Sequence, residues 1–420
     1  MAATCFLRNM SSRDPDAARR LAISYPRREC SPPPPFERPG SLLVGEDKTF
    51  ETRRKFLMKR LMAAVLLAAG AFLASPASAA PEKVILDTDF STIGDDGQVL
   101  IMAAQLQKDG VIDLLGITVV TGNDWLKQEV ADALRAVERL GIEDRVGVYA
   151  GANLPLVHDP RSFEHERALF GFGESYKTSF HRPQPKDADL IAPPDGFAKK
   201  TKLRKDDAVD FIVDTIKANP HQVSLLVIGP ATNIALAIRK NAEIVPLIKR
   251  IVYMAGAVDV KGNTTPAAEM NVWIDPEAAR IVMREPIEQA LIPLDVTDIT
   301  QIGKPEFDRL TAGNGPIQKL FQDSWMAKKF AKDDKAKASV FDTLALAYLV
   351  DPSFATKVDD LYIDVDVAFG PGYGRTLGYW QKQPTDLLQK VKVVKQFDNK
   401  RFSDFYVDLL TRPVPVKLAE

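Results

Sequence analysis

Four aspartates fall within ten residues in Val84-Ile85-Leu86-Asp87-Thr88-Asp89-Phe90-Ser91-Thr92-Ile93-Gly94-Asp95-Asp96-Gly97. Crowded carboxylates repel one another and cost free energy to bury, unless a cation or a set of hydrogen-bond donors sits among them. The apolar run Lys83 to Leu86 ahead of them reads as a buried parallel strand, and the Ser, Thr and Gly between them as the turn that leaves it. Ligands of open α/β sheets bind outside the carboxyl ends of strands, so the crowding falls where a site belongs. A hard divalent cation is one reading. A solvated acidic turn, with one aspartate capping a helix that starts near Gly97, is the other.

Three later stretches share the pattern of polar residues at a strand end. In Val227-Ile228-Gly229-Pro230-Ala231-Thr232-Asn233, Gly-Pro lets the Ile228 carbonyl point out of the ladder, and Thr232 or Asn233 is placed to cap the next helix. In the stretch Gly262 to Trp273, the side chains of Asn263, Glu269 and Asn271 suit a polyhydroxyl ligand, because each hydroxyl both donates and accepts. In Ser339-Val340-Phe341-Asp342-Thr343, one carboxylate opens an apolar helix, as a cap or as a member of a shared site.

The elements that must hold these residues alternate. After Lys83–Leu86 come a helix over Val99–Lys108, a strand over Ile112–Val120, a helix over Trp125–Leu140 closed by Gly141, and a strand over Val146–Tyr149. A stretch rich in Pro, His, Phe and Lys at 153–205 breaks the rhythm as a long irregular insertion. A helix over Ala208–Ala218 and strands over Val223–Ile228 and Arg250–Ala255 then resume it. This predicts an α/β fold: a mainly parallel sheet with helices on both faces, in one large domain over 80–420.

Ahead of that domain, Thr52 to Arg60 is basic, Leu61 to Leu73 apolar, and Ala77-Ser78-Ala79 a small-residue cleavage site. These mark 58–79 as a secretory signal peptide, with Arg53-Arg54 resembling a twin-arginine address if translation starts upstream. Residues 1–57 read as a disordered or spurious extension, and the mature protein as exported, periplasmic or secreted. Both cysteines, Cys5 and Cys30, precede the domain, which excludes a thiolate metal site or a cysteine nucleophile there. With 55 basic and 56 acidic residues, no net field draws the chain to nucleic acid or, after signal cleavage, to a membrane.

Taken together, Asp87-Thr88-Asp89 with Asp95-Asp96, Gly116-Ile117-Thr118 with Gly122-Asn123, Val148 to Ala152, Gly229 to Ala237, and Asn263 to Asn271 with Asp275 to Ala279 resemble the inosine-uridine-preferring nucleoside hydrolase family. The resemblance runs from about Lys83 to the last helix. It implies a doubly wound, Rossmann-like α/β fold and a calcium-dependent hydrolase of the N-glycosidic bond of ribonucleosides, assembled as a homo-oligomer. Carried over, Asp89 is a calcium ligand and the general base, with Asp96, Asp342 and the Ile228 carbonyl as further ligands and Asp87 orienting them from behind. Asp95, Asn123 and Asn271 hold the ribose 2′- and 3′-hydroxyls, and Asn263 and Glu269 the 5′-hydroxyl.

Three features depart from the family pattern. The turn Phe90–Gly94 is longer than the usual Pro-Gly turn. Phe341 stands where many members carry the histidine that protonates the leaving base, and Asp298 where another histidine is usual. The leaving-group contact then falls to Phe341, to His165 or His181 from the insertion, or to stacking by Phe170, Phe172 or Met270. Two alternatives remain open: an exported nucleoside- or ribosyl-binding protein without turnover, and a hydrolase of another ribosyl compound such as nicotinamide riboside.

Overall fold

A computed structural model describes residues 80–171, 178–381, 383–416 and 418. The extension over 1–57, the signal segment over 58–79 and Phe172 lie outside the described residues. The chain runs β1 (Glu82–Thr88), α1 (Asp95–Lys108), β2 (Ile112–Val119), α2 (Leu126–Leu140), β3 (Gly147–Ala150), α3 (Pro160–Phe170), α4 (Ala208–Ala218), β4 (Val223–Val227), α5 (Thr232–Lys240) and β5 (Arg250–Met254). It continues α6 (Met270–Ile274), α7 (Pro276–Met283), β6 (Gln289–Ile292), α8 (Leu294–Thr297), β7 (Gln301–Ile302), α9 (Lys304–Thr311), α10 (Pro316–Gln322) and α11 (Trp325–Lys332). It closes β8 (Ala338–Ser339), α12 (Phe341–Val350), β9 (Ala355–Val365), β10 (Thr376–Tyr379), β11 (Lys390–Phe397) and α13 (Asn399–Thr411).

Nine strands form one sheet in the order β10-β9-β11-β6-β5-β4-β1-β2-β3, and only the contacts of β9 with β10 and β11 are antiparallel. Within it, 3-2-1-4-5-6 is the doubly wound order, and its reversal lies between β1 and β4. Strand β1 is buried on both faces, as a central parallel strand must be. Val84 and Leu86 pack toward α1, α2, α12 and α13, and Ile85 toward α4, α5 and α7. Each such side chain contributes about 1.5–3 kcal/mol when taken out of water. Among the described residues no helix is long and apolar enough to cross a membrane.

Helix α1 starts at Asp95, a turn earlier than the apolar pattern suggests, because two carboxylates in a first turn suit the positive end of a helix. The insertion is less irregular than expected. Asp159 caps α3 through the Arg161 and Ser162 amides, with Pro160 in the first turn. The rest is fastened to α2: Gln128 exchanges two 2.8 Å hydrogen bonds with Ile191, and Glu138 accepts from the amides of Lys199, Lys200 and Thr201. The insertion's period was obscured because α3 buries only Phe163 and Glu166.

Candidate active site

Helices α1 and α12 pack against each other, and their N-termini meet at the carboxyl ends of β1 and β4. That juxtaposition gathers carboxylates 247 residues apart in sequence, and the Asp342 amide points at Asp95 Oδ2 at 3.4 Å. Oxygens of Asp95, Asp96 and Asp342 lie within 4.8 Å of one another. The tight trio therefore includes Asp95, assigned above to ribose. Asp89 faces the same cavity, and its charge acts on Asp342. None of these side chains caps its helix: the N-caps are Gly94 and Val340, and neither makes a side-chain cap. The reading as a capping aspartate is thereby removed.

Asp89 sits in a narrow slot. Its Oδ2 accepts from the Asn123 amide at 2.9 Å, while Asn123 Nδ2 donates to the Asp89 carbonyl at 2.9 Å and to Asp96 Oδ2 at 3.1 Å. Glycines line the slot: a Cβ on Gly122 would lie 2.5 Å from Asp89 Cβ, and one on Gly229 would lie 2.7 Å from the Asp89 nitrogen. Only glycine permits that approach. The long turn after Asp89 is pinned as well. Phe90 is buried, Ser91 donates to Asp96 Oδ2 at 3.1 Å, and Thr92 donates to Asp132 on α2 at 2.7 Å.

Behind the trio, Asp87 Oδ1 accepts from Thr118 at 2.5 Å and Asn233 at 2.8 Å. Asn233 is thus no helix cap; it ties Asp87 to the sheet and also accepts from the Ala152 amide at 2.8 Å. Thr232 likewise does not cap but donates to Asp275 at 2.7 Å. The Ile228 amide donates to the Asp87 carbonyl at 2.8 Å, and the Ile228 carbonyl accepts from Asn271 Nδ2 at 2.9 Å.

Burial governs the electrostatics. It raises the Asp87 carboxyl to about 7, against the pull of Thr118 and Asn233. Burial and then the charge of Asp95 raise Asp96 to about 8. Asp89 and Asp342 are pushed up by burial and by their neighbours' charges. Burial thus favours the neutral forms of these groups, and a cation among them would favour the carboxylates. The donors fit a hard metal ion: they are oxygens throughout, and Asp87 Oδ2 and Asn271 Oδ1 are buried without a hydrogen-bond partner.

The cavity above these residues holds about 650 Å³. Asn123, Asn263, Glu269 and Asn271 all line it. Glu269 carries structural duty too, accepting from the Gly256, Asn271 and Val272 amides at 2.8, 2.9 and 3.2 Å as the cap of α6.

Phe341 and Met270 also line the cavity, but His165 and His181 do not. His165 is exposed beside Phe369, with Phe170 against the same ring. His181 Nδ1 accepts from the Thr178 amide at 3.0 Å, and its ring packs on Phe163. The insertion turns these side chains to other surfaces, so neither reaches a leaving group here. Asp298 is exposed at the end of α8, outside the cavity.

Sequence reasoning missed Glu129, Trp325 and Lys329. Glu129 is buried on α2, and its Oε1 accepts from the Asp124 amide at 2.7 Å and the Gly122 amide at 3.3 Å, fixing the loop that presents Asn123. Its signal was a glutamate in the first turn after that loop. Trp325 and Lys329 form a cavity wall from a segment without any strand-end motif.

A doubly wound α/β protein with an acidic, metal-competent crevice at its switch point is the class these features define. A model of the inosine-uridine preferring nucleoside hydrolases matches residues 84–404, and the chain belongs to that family of N-ribosyl hydrolases. Over 298 residues it is 34% identical to the pyrimidine-specific ribonucleoside hydrolase RihB of Escherichia coli (strain SE11), which covers 70% of this chain and 86% of that protein. The fold is similar to the purine-preferring ribonucleoside hydrolase from Gardnerella vaginalis (28% identity, TM-score 0.62, 79% of this chain and 98% of that one). It is also similar to the plant nucleoside hydrolase PpNRh1 (21% identity, TM-score 0.64, 79% of this chain and 100% of that one), a likeness of fold alone.

Proposed function

We propose that this chain is an exported, calcium-dependent hydrolase that splits ribonucleosides into ribose and free base. The carrying observation is the meeting of the buried Asp96 with Asp95 and Asp342, while Asp89, Asp95 and Asp342 line the same cavity as Asn123, Asn263 and Asn271. Asp89, Asp96, Asp342 and the Ile228 carbonyl would hold the ion, and Asp95 is the oxygen donor that the geometry adds. When bound, the ion would lower the pKa of a water and offset the carboxylates' repulsion.

The chain's own residues do the rest. Asp89, held in its glycine slot, takes the proton of the attacking water. The unpartnered Asn271 Oδ1 accepts from a ribose hydroxyl, with Asn123 and Asn263 as further contacts. Asp87 keeps the floor rigid through Thr118 and Asn233. As the glycosidic bond stretches, the ribose gains oxocarbenium character, which the surrounding carboxylates stabilise. Export is supported by the basic, apolar and small-residue sequence over 52–79.

Ribose release from purine and pyrimidine nucleosides, with and without chelator, tests the reading. Wild-type protein is expected to release ribose only in the absence of chelator, and Asp89→Ala to release none while retaining its melting transition. Calcium-loaded protein that binds nucleosides without releasing ribose would instead establish the binding-protein alternative.

A further inference from the structure

The acidic floor answers the ribose half of the reaction and leaves the base half without a partner of the opposite sign. Breaking the C1′–N bond sends its electron pair to the base, so negative charge grows there while positive charge grows on the sugar. No histidine is among the described residues lining the cavity, and the one cation that lines it is Lys329.

Lys329 stands on α11, whose Ser324 cap accepts from the Ala327 amide. Met326 and Phe330 on one face of that helix are buried at 1% and 3% exposure, which fixes its rotation. Trp325 and Lys329, four residues apart, share the adjacent face and form the cavity wall together with Met326. The Lys329 ammonium lies 5.7 Å from the Trp325 ring centroid. The indole, 46% exposed, is an open aromatic surface beside that cation.

We propose that Lys329 is the leaving-group residue of this enzyme, and that it selects nucleosides whose base carries a ring carbonyl next to the glycosidic nitrogen, as pyrimidines do. The inference rests on the nucleosidase reading above and adds a residue and a substrate class to it. As the C1′–N1 bond breaks, its electron pair spreads onto the C2 oxygen of the base, which accepts a hydrogen bond from the Lys329 ammonium. The water oxygen bonds to C1′, and one water proton passes to Asp89. The base anion then takes a proton from Lys329; Asp89 releases its proton to solvent and Lys329 regains one, so a single water is consumed. An adenine offers no such oxygen and needs protonation on a ring nitrogen, for which an ammonium is too weak an acid.

The test compares uridine, adenosine and 4-nitrophenyl β-D-ribofuranoside on wild type, Lys329→Gln and Lys329→Arg. Nitrophenolate leaves without assistance, so it reports the ribose end alone. Lys329→Gln is expected to lose about 100-fold in kcat on uridine and far less on the nitrophenyl riboside, with Lys329→Arg recovering much of the uridine rate. Wild type is expected to favour uridine over adenosine. Lys329 is exposed, so both variants should fold, and their melting curves check this. Unchanged uridine turnover in Lys329→Gln, or equal losses on uridine and nitrophenyl riboside, would overturn the role of Lys329 alone. Wild-type protein that cleaves none of the three compounds would overturn the nucleosidase reading and this role with it.

Discussion

A single methyl group at position 122 probes how tightly the floor is built. In Gly122→Ala the new carbon would lie 2.5 Å from Asp89 Cβ and 2.7 Å from Asp89 Cγ. Carbon atoms in ordinary contact stand about 3.5–4.0 Å apart, so roughly 1 Å of overlap must be relieved. Asp89 cannot retreat, because Gly229 closes the other side of its backbone and the Asn123 amide holds its carboxylate at 2.9 Å. The 121–124 loop is held in turn by the buried Glu129 carboxylate. Relief through strain costs about 1–3 kcal/mol, the usual penalty of overpacking. In a chain of this size each kcal/mol lowers Tm by about 2–4 °C. Displacing Asp89 by about 1 Å should also cost on the order of 100-fold in kcat. Calorimetry and ribose release measure the two effects, with Gly370→Ala as control, since a Cβ there meets nothing nearer than 4.0 Å. If Gly122→Ala matches wild type in both Tm and kcat, the slot does not position Asp89.

Two further outcomes follow from the same floor. Asp87 and Asp96 have folded values of about 7 and about 8, above the usual 3.8 of an aspartate, so the metal-free fold holds protons that the unfolded chain has released. Their stabilising contribution is complete below pH about 4 and is lost as pH rises through about 7 and 8, so Tm in chelator should fall between about pH 5 and 8. Saturating calcium should remove that dependence, and a Tm in chelator that is level across the range would refute the account. In Asn233→Ala, Asp87 and the Ala152 amide each lose a buried partner. The urea midpoint should then drop by the equivalent of about 2–4 kcal/mol at unchanged slope, and an unshifted midpoint would show that Asn233 carries no such burden.

The parallel core was legible because its strands are continuous apolar runs, which the sheet's burial on both faces demands. The floor of the site was legible for a related reason. Asp87 to Asp96 are close in sequence, and their repulsion is visible without a structure. Asp342 was recognised as a candidate, yet its partnership with Asp95 needed the packing of α1 on α12, which no local pattern encodes. Asn233 was misread as a cap because Asn after Gly-Pro favours one. Its side chain instead satisfies the buried Asp87, a stronger demand than a helix amide that Ala231 can leave to the backbone. The histidines misled because type and segment alone do not say which way a side chain turns.

The division between floor and wall also says where specificity can change. The proposed ribose end is built at strand ends and helix starts, where Asn271 is tied to the carbonyls of Ile228 and Met254 by buried hydrogen bonds, so substitutions there disturb the core. The proposed base end faces α11, whose Met326 and Phe330 belong to the main hydrophobic core. Met326, Phe330 and the partly buried Ala327 are committed to packing, whereas Trp325 and Lys329 are exposed and can change at little cost to the fold. Base preference should therefore track the residues at 325 and 329, while the carboxylate floor keeps the bond that is cleaved the same.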